Sequence, residues 1–117
     1  MKKLILLFMF GSLFMGCFYT TQNLSKSSKV QAGMSTDEVL KIMGEPVISE
    51  LERNIEEWHY CSTGSEDRFL AMFFVDSKLV AKKYYLGKSK VGDCSLFVKT
   101  GDYKVPSEIQ EILDKSN

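Results

Sequence analysis

Residues 30–46 read Val-Gln-Ala-Gly-Met-Ser-Thr-Asp-Glu-Val-Leu-Lys-Ile-Met-Gly-Glu-Pro, and a charged interval then leads to Trp58-His59-Tyr60. Ser35 suits a helix N-cap, because its hydroxyl can accept an otherwise unpaired N–H of the first turn. Glu38, three residues on, can reach back to the Ser35 N–H and complete a capping box, with Met34 and Val39 at the staple positions on either side. Val39, Leu40, Ile42 and Met43 form an apolar stripe at helical spacing. Gly44 suits a left-handed C-terminal cap, and Pro46 cannot continue the helix. The spacing therefore predicts a helix over 36–43. About two turns do not hold in water alone, so this helix must dock, and the nearest large apolar surface is the strand bearing Trp58 and Tyr60.

Downstream of the helix, residues 47–54 carry Glu50, Glu52 and Arg53 and read as the connection from helix to sheet. Residues 55–62 read as a strand with Trp58 and Tyr60 on one face and Glu57, His59 and Cys61 on the other. Residues 68–75 form the strongest strand, Asp76-Ser77 a two-residue hairpin turn, and 78–86 a third strand. Short turns between successive strands imply an antiparallel meander. The predicted class is α+β, with an N-terminal helical part packed on three antiparallel strands.

The strand at 68–75 is apolar on both sides: Leu70, Met72 and Phe74 alternate with Phe69, Ala71, Phe73 and Val75. A sheet with one wet face alternates apolar with polar, so both faces here need cover. The helix supplies one cover, and a C-terminal extension from about residue 87 is expected to supply the other. The cysteine count fits this layout. With Cys17 assigned to lipid, as argued below, Cys61 and Cys94 remain, an even pair in an oxidising compartment. A bridge between them would draw the extension over the face that carries Cys61. Phe97, Val98, Tyr103 and Val105 then offer apolar contacts. A last helix is expected from Pro106-Ser107, with Ser107 and Gln110 as a second capping box and Ile109, Ile112 and Leu113 as its apolar stripe.

At the other end, Lys2 and Lys3 precede the apolar run 4–10, and the segment closes on Phe14-Met15-Gly16-Cys17. The run is too short for a spanning helix and reads as a signal peptide over 1–16. Phe14-Met15-Gly16-Cys17 resembles a lipobox, with Phe14 where Leu is usual, so Cys17 is expected to be acylated and to become the new N-terminus. A plain signal peptide is the alternative. Residues 17–29 are polar, lack periodicity and read as a flexible tether, and the domain proper is placed at 30–117.

The whole chain has 117 residues, a one-domain length, and a formal net charge of zero, which gives no footing for nucleic acid. Without Lys2 and Lys3, 13 basic and 15 acidic side chains remain, a balance of −2 that favours no class of partner. His59 is the only histidine. It shares a strand face with Cys61, so a thiol nucleophile or a zinc site can be drawn, but a tetrahedral site lacks its remaining ligands. A structural disulfide beside a bystander histidine is the expectation, with no metal, no cofactor and no small-molecule substrate. Nucleophile-elbow and phosphate-loop motifs are lacking, and the chain is not expected to be an enzyme. Trp58 and Tyr60 read as core. Lys82, Lys83, Tyr84 and Tyr85 form a basic-aromatic patch, with edge-blocking the simpler role for the lysines.

Val30, Gly33, Met34, Ser35, Val39, Gly44 and Pro46, followed by Trp58 and Tyr60, resemble the SmpA/OmlA family of small bacterial lipoproteins. The family's best-known member is a subunit of the outer-membrane β-barrel assembly machine. The resemblance implies a β-lactamase-inhibitor-like arrangement, often with a second short helix before the capped one. It also implies an anchored position on the periplasmic face of the outer membrane, held by acyl chains on Cys17. The expected function is a binding scaffold for protein partners, accessory to outer-membrane barrel assembly or envelope integrity. The alternative is an inhibitor or accessory subunit of a periplasmic enzyme.

Overall fold

The computed structural model describes residues 19–87 and 92–115. The signal peptide read at 1–16 and the lipidation expected at Cys17 lie outside the described residues. The first α-helix, α1, spans Thr36–Met43, the range its caps and stripe indicate. Both halves of the capping box form: the Ser35 hydroxyl accepts the Glu38 N–H at 3.2 Å, and the Ser35 N–H donates to Glu38 Oε1 at 3.3 Å. Gly44 stops the helix at φ +79° and ψ −169°, a conformation open to glycine and not the left-handed cap expected, and its N–H returns to the Leu40 carbonyl at 2.8 Å.

Four strands follow, β1 (Ile48–Glu52), β2 (Ile55–Ser62), β3 (Arg68–Val75) and β4 (Lys78–Leu86), in one antiparallel sheet of order β1-β2-β3-β4. The last three occupy the ranges read from the sequence. The fourth corrects the three-stranded expectation: residues 47–54 do not merely connect helix to sheet. Ile48 to Glu52 pair with His59 to Ile55 through a tight turn in which Arg53 has φ +58°. The Asp76-Ser77 turn has both residues at positive φ, as a two-residue hairpin with right-handed strand twist demands.

The segment read as a flexible tether is also corrected from residue 19 onward. Thr21 bridges to Ser62 at the end of β2, and Leu24–Lys29 winds into a 3-10 turn capped by Asn23. Its sequence is polar, and β4 holds it in place: Lys82 Nζ donates to the carbonyls of Ser27 and Val30 at 2.6 and 2.9 Å, and the Tyr84 hydroxyl bonds to Ser27 Oγ.

Both faces of β3 are covered. On one side α1 and the 3-10 turn seal a core of Val39, Trp58, Tyr60, Leu70, Met72 and Phe74. There the Trp58 ring lies 4.5 Å from that of Phe74, and the Tyr60 hydroxyl donates to the Gly44 carbonyl at 2.8 Å. On the other side the C-terminal extension covers Cys61, Phe69, Ala71, Phe73 and Tyr85 with Cys94 and Ile109. Each fully buried phenylalanine contributes about 1.5–3 kcal/mol. Cys61 and Cys94 are joined as a disulfide with Cα atoms 6.1 Å apart. The extension runs through a 3-10 turn, Cys94–Phe97, to the second helix, α2 (Ser107–Lys115). The second capping box does not form. Pro106, which has no N–H to satisfy, stands before the helix and its carbonyl accepts from Ile109 and Gln110, while Gln110 Nε2 turns to Asp114. Among the described residues no helix is long and apolar enough to cross a membrane.

Candidate binding surface

The chemistry suggested by His59 and Cys61 resolves into structure. Cys61 is spent in the disulfide, and His59 is fully buried under the C-terminal extension. Tyr85 Oη lies 2.8 Å from His59 Nδ1, within hydrogen-bond distance, and accepts the Lys99 N–H at 3.0 Å. His59 Nε2 then donates to Glu57 Oε2, which also accepts from the Tyr103 hydroxyl at 2.7 Å. Lys99 Nζ completes the cluster between Glu50 and Glu57, at 2.8 and 3.4 Å.

Burial works against the Glu57 charge, yet the hydrogen bonds from His59 and Tyr103, with Lys99 nearby, outweigh it and hold the carboxyl below its ordinary 4.5. Burial pushes the Tyr85 hydroxyl up to about 12 and the Tyr103 hydroxyl higher still. Every hydrogen-bonding position on the imidazole is thus occupied, and the cluster serves as a polar rivet between β2, β4 and the extension. Among the described residues no group of three or more histidine, cysteine or carboxylate side chains is placed to hold a metal.

The motif residues converge at the junction of helix and sheet. Gly33 takes φ +92°, its N–H meets the Leu79 carbonyl, and the Met34 carbonyl accepts the Leu79 N–H, both at 2.8 Å. Ser35, Glu38, Val39 and Gly44 build and end α1, Pro46 leads into β1, and Trp58 and Tyr60 lie in the core beneath. The basic-aromatic patch divides. Lys82 and Tyr84 grip the 3-10 turn, Tyr85 points into the opposite core, and Lys83 stays exposed.

What the surface does offer is a groove of about 380 Å³ at the end of β4, lined among others by Leu24, Arg68, Phe69, Tyr84, Leu86 and Asp102. Tyr84 and Leu86 are large exposed apolar residues there. The groove can accept an apolar side chain of a partner and presents one cation, Arg68, at its wall. Sequence reading missed it because Leu24, Tyr84 and Asp102 come from three separate segments.

A second set of contacts fixes the start of the described chain. Asp93 accepts from the Thr20 N–H at 2.7 Å and from the hydroxyls of Thr20, Thr63 and Ser95. Those bonds, Ser95 first and the Thr20 N–H next, draw the Asp93 carboxyl down to about 2. Thr63 N–H adds a bond to the Thr20 carbonyl at 2.8 Å, and Gln22 pairs with Cys61.

Residues 19–84 match the model of the outer membrane protein assembly factor BamE domain. The chain belongs to the BamE family. The matched range takes in the N-terminal 3-10 turn, α1, β1 to β3 and most of β4, and it ends before the disulfide-bound extension. Among curated proteins no match is found. The BamE match therefore spans the α1 face of the sheet, and the polar rivet draws Tyr85, Lys99 and Tyr103 from beyond it.

Proposed function

We propose that this chain is a lipid-anchored binding protein, accessory to outer-membrane protein assembly and held on the periplasmic face of the outer membrane through acyl chains on Cys17. The BamE match across more than half of the chain carries this reading. Lys2, Lys3 and the short apolar run support a signal that is removed, and Cys17 is the residue left to carry the anchor, since two or more acyl chains hold a protein stably on a bilayer. The chemistry of the site favours binding: the histidine and the thiols Cys61 and Cys94 are committed to structure, and the groove beside Tyr84 presents apolar surface to a protein partner. Crosslinking the acylated protein in native membranes, followed by recovery, is expected to bring down barrel-assembly components, with less recovered from a Tyr84→Glu variant. Deletion is expected to lower outer-membrane barrel levels. Recovery of a soluble hydrolase in their place would overturn the assembly role in favour of an enzyme-binding one.

A further inference from the structure

With Cys17 acylated as proposed, Phe18 alone separates the anchor from the described residues, and the first of these are held in place. From Cys17 to Thr20 there are three peptide units, at most about 11 Å when extended. Thr20 itself is not free to swing, because Asp93 holds its N–H and hydroxyl and Thr63 holds its carbonyl. The headgroup layer on each side of a bilayer is about 5–8 Å deep. A residue acylated at the base of that layer therefore holds Thr20 no more than about 6 Å beyond its outer boundary.

We propose that this chain lies on the bilayer in one orientation, with the disulfide end of the sheet pressed to the lipid headgroups. The contacting surface is Tyr19, the β2–β3 loop and the 3-10 turn Cys94–Phe97. This inference rests on the acylation of Cys17 given above and adds the face that meets the membrane. Two large apolar side chains stand out at that end: Leu96 is 76% exposed and Tyr19 55%. Leu96 follows Asp93 by one turn, its N–H bonding to the Asp93 carbonyl at 3.1 Å, so it sits beside the clasp. An apolar side chain there enters the headgroup layer at no loss of internal packing. Arg68 near the same end stands against Glu66 and the ionised Asp93 of the clasp, so tether length and apolar contact, and not attraction to anionic headgroups, set the orientation. The opposite end carries the β1–β2 and β3–β4 turns. Leu51, 71% exposed, lies toward it, across from Glu56 and about 20 Å along β2 from Ser62.

The test uses the full acylated chain in vesicles of phosphatidylethanolamine and phosphatidylglycerol with spin-labelled headgroups. Leu96→Trp and Leu51→Trp are made separately, and the buried Trp58 is a common background. Leu96→Trp is expected to be quenched at least about twofold more strongly than Leu51→Trp, with little change between low and high salt. Inserting about ten Gly/Ser residues between Phe18 and Tyr19, a span of about 17–19 Å, is expected to remove the difference. Equal quenching at the two positions, or a difference untouched by the insertion, would overturn the orientation. The mass of the mature chain separates the two claims. A chain without acyl mass brings down the anchor and the orientation together, whereas an acylated chain with equal quenching brings down the orientation alone.

Discussion

The two faces of the sheet are closed by different means. The α1 face is sealed by elements next to it in sequence, with an almost wholly apolar interior in which Trp58, Tyr60 and Phe74 meet Val39 and Met43. The opposite face is sealed by a segment that returns from beyond β4, bound by the Cys61–Cys94 disulfide and by the cluster of Glu57, His59, Tyr85, Lys99 and Tyr103. The family match covers the first arrangement and stops before the segment that closes the second. A short capped helix can dock by burial alone when its target is close along the chain. A longer excursion loses more chain entropy on ordering and here carries a covalent link and directed hydrogen bonds.

Removing the staple is the harshest way to break this contrast. Cys61→Ala with Cys94→Ala is expected to cost about 4 kcal/mol by the chain-entropy relation for a loop of this separation, read from denaturant unfolding. Amide exchange should quicken first in α2 and the Cys94–Phe97 turn, and equal quickening in α1 would erase the distinction between the faces. Next in size, Glu57→Gln leaves His59, Lys99 and Tyr103 short of a charged acceptor and should cost about 2 kcal/mol at neutral pH.

The pH dependence has a definite sign. Glu57 titrates lower in the folded protein than in the unfolded chain, so its stabilisation is present above 4.5 and is lost as pH falls through the folded value. The Glu57→Gln variant should therefore show a shallower acid loss than the parent in melts taken across that range. Ser35→Ala removes the α1 cap and should cost about 1 kcal/mol, measured by the same unfolding. Lys99→Ala, at a partly exposed ion pair, should cost about 0.5 kcal/mol, and salt should shrink the difference.

Much of the α1 face was legible because its signals are local. A cap, a stripe and a terminating glycine lie within the ten residues from Ser35 to Gly44, and the two-sided apolar run of β3 announces that a second cover exists. The disulfide followed from the count of cysteines. What escaped was held by partners far away in sequence. Ile48 to Glu52 has only two apolar residues and becomes a strand because β2 offers an edge. The polar run Leu24–Lys29 has no pattern of its own and takes shape where Lys82 and Tyr84 bind its carbonyls and a serine hydroxyl. Alternation placed His59 on the right face, but nothing near it in sequence points to Lys99 or Tyr103. The groove beside Tyr84 is hidden for the same reason.

The outer strands of the sheet bear on self-association. β4 has its first residues occupied by Gly33, Met34 and Ser35 and its last by Asp102, which exchanges bonds with Leu86 at 2.7 and 3.2 Å. Gly101 there has φ +67° and so little room that an added Cβ would fall 2.1 Å from the Leu86 carbonyl oxygen. On β1 the exposed Glu52 would repel a second copy lying alongside, while Glu50 is held by Lys99 at 2.8 Å. One flank is stoppered at both ends and the other carries a bare carboxylate, so edge-to-edge pairing of two such sheets is disfavoured on either side.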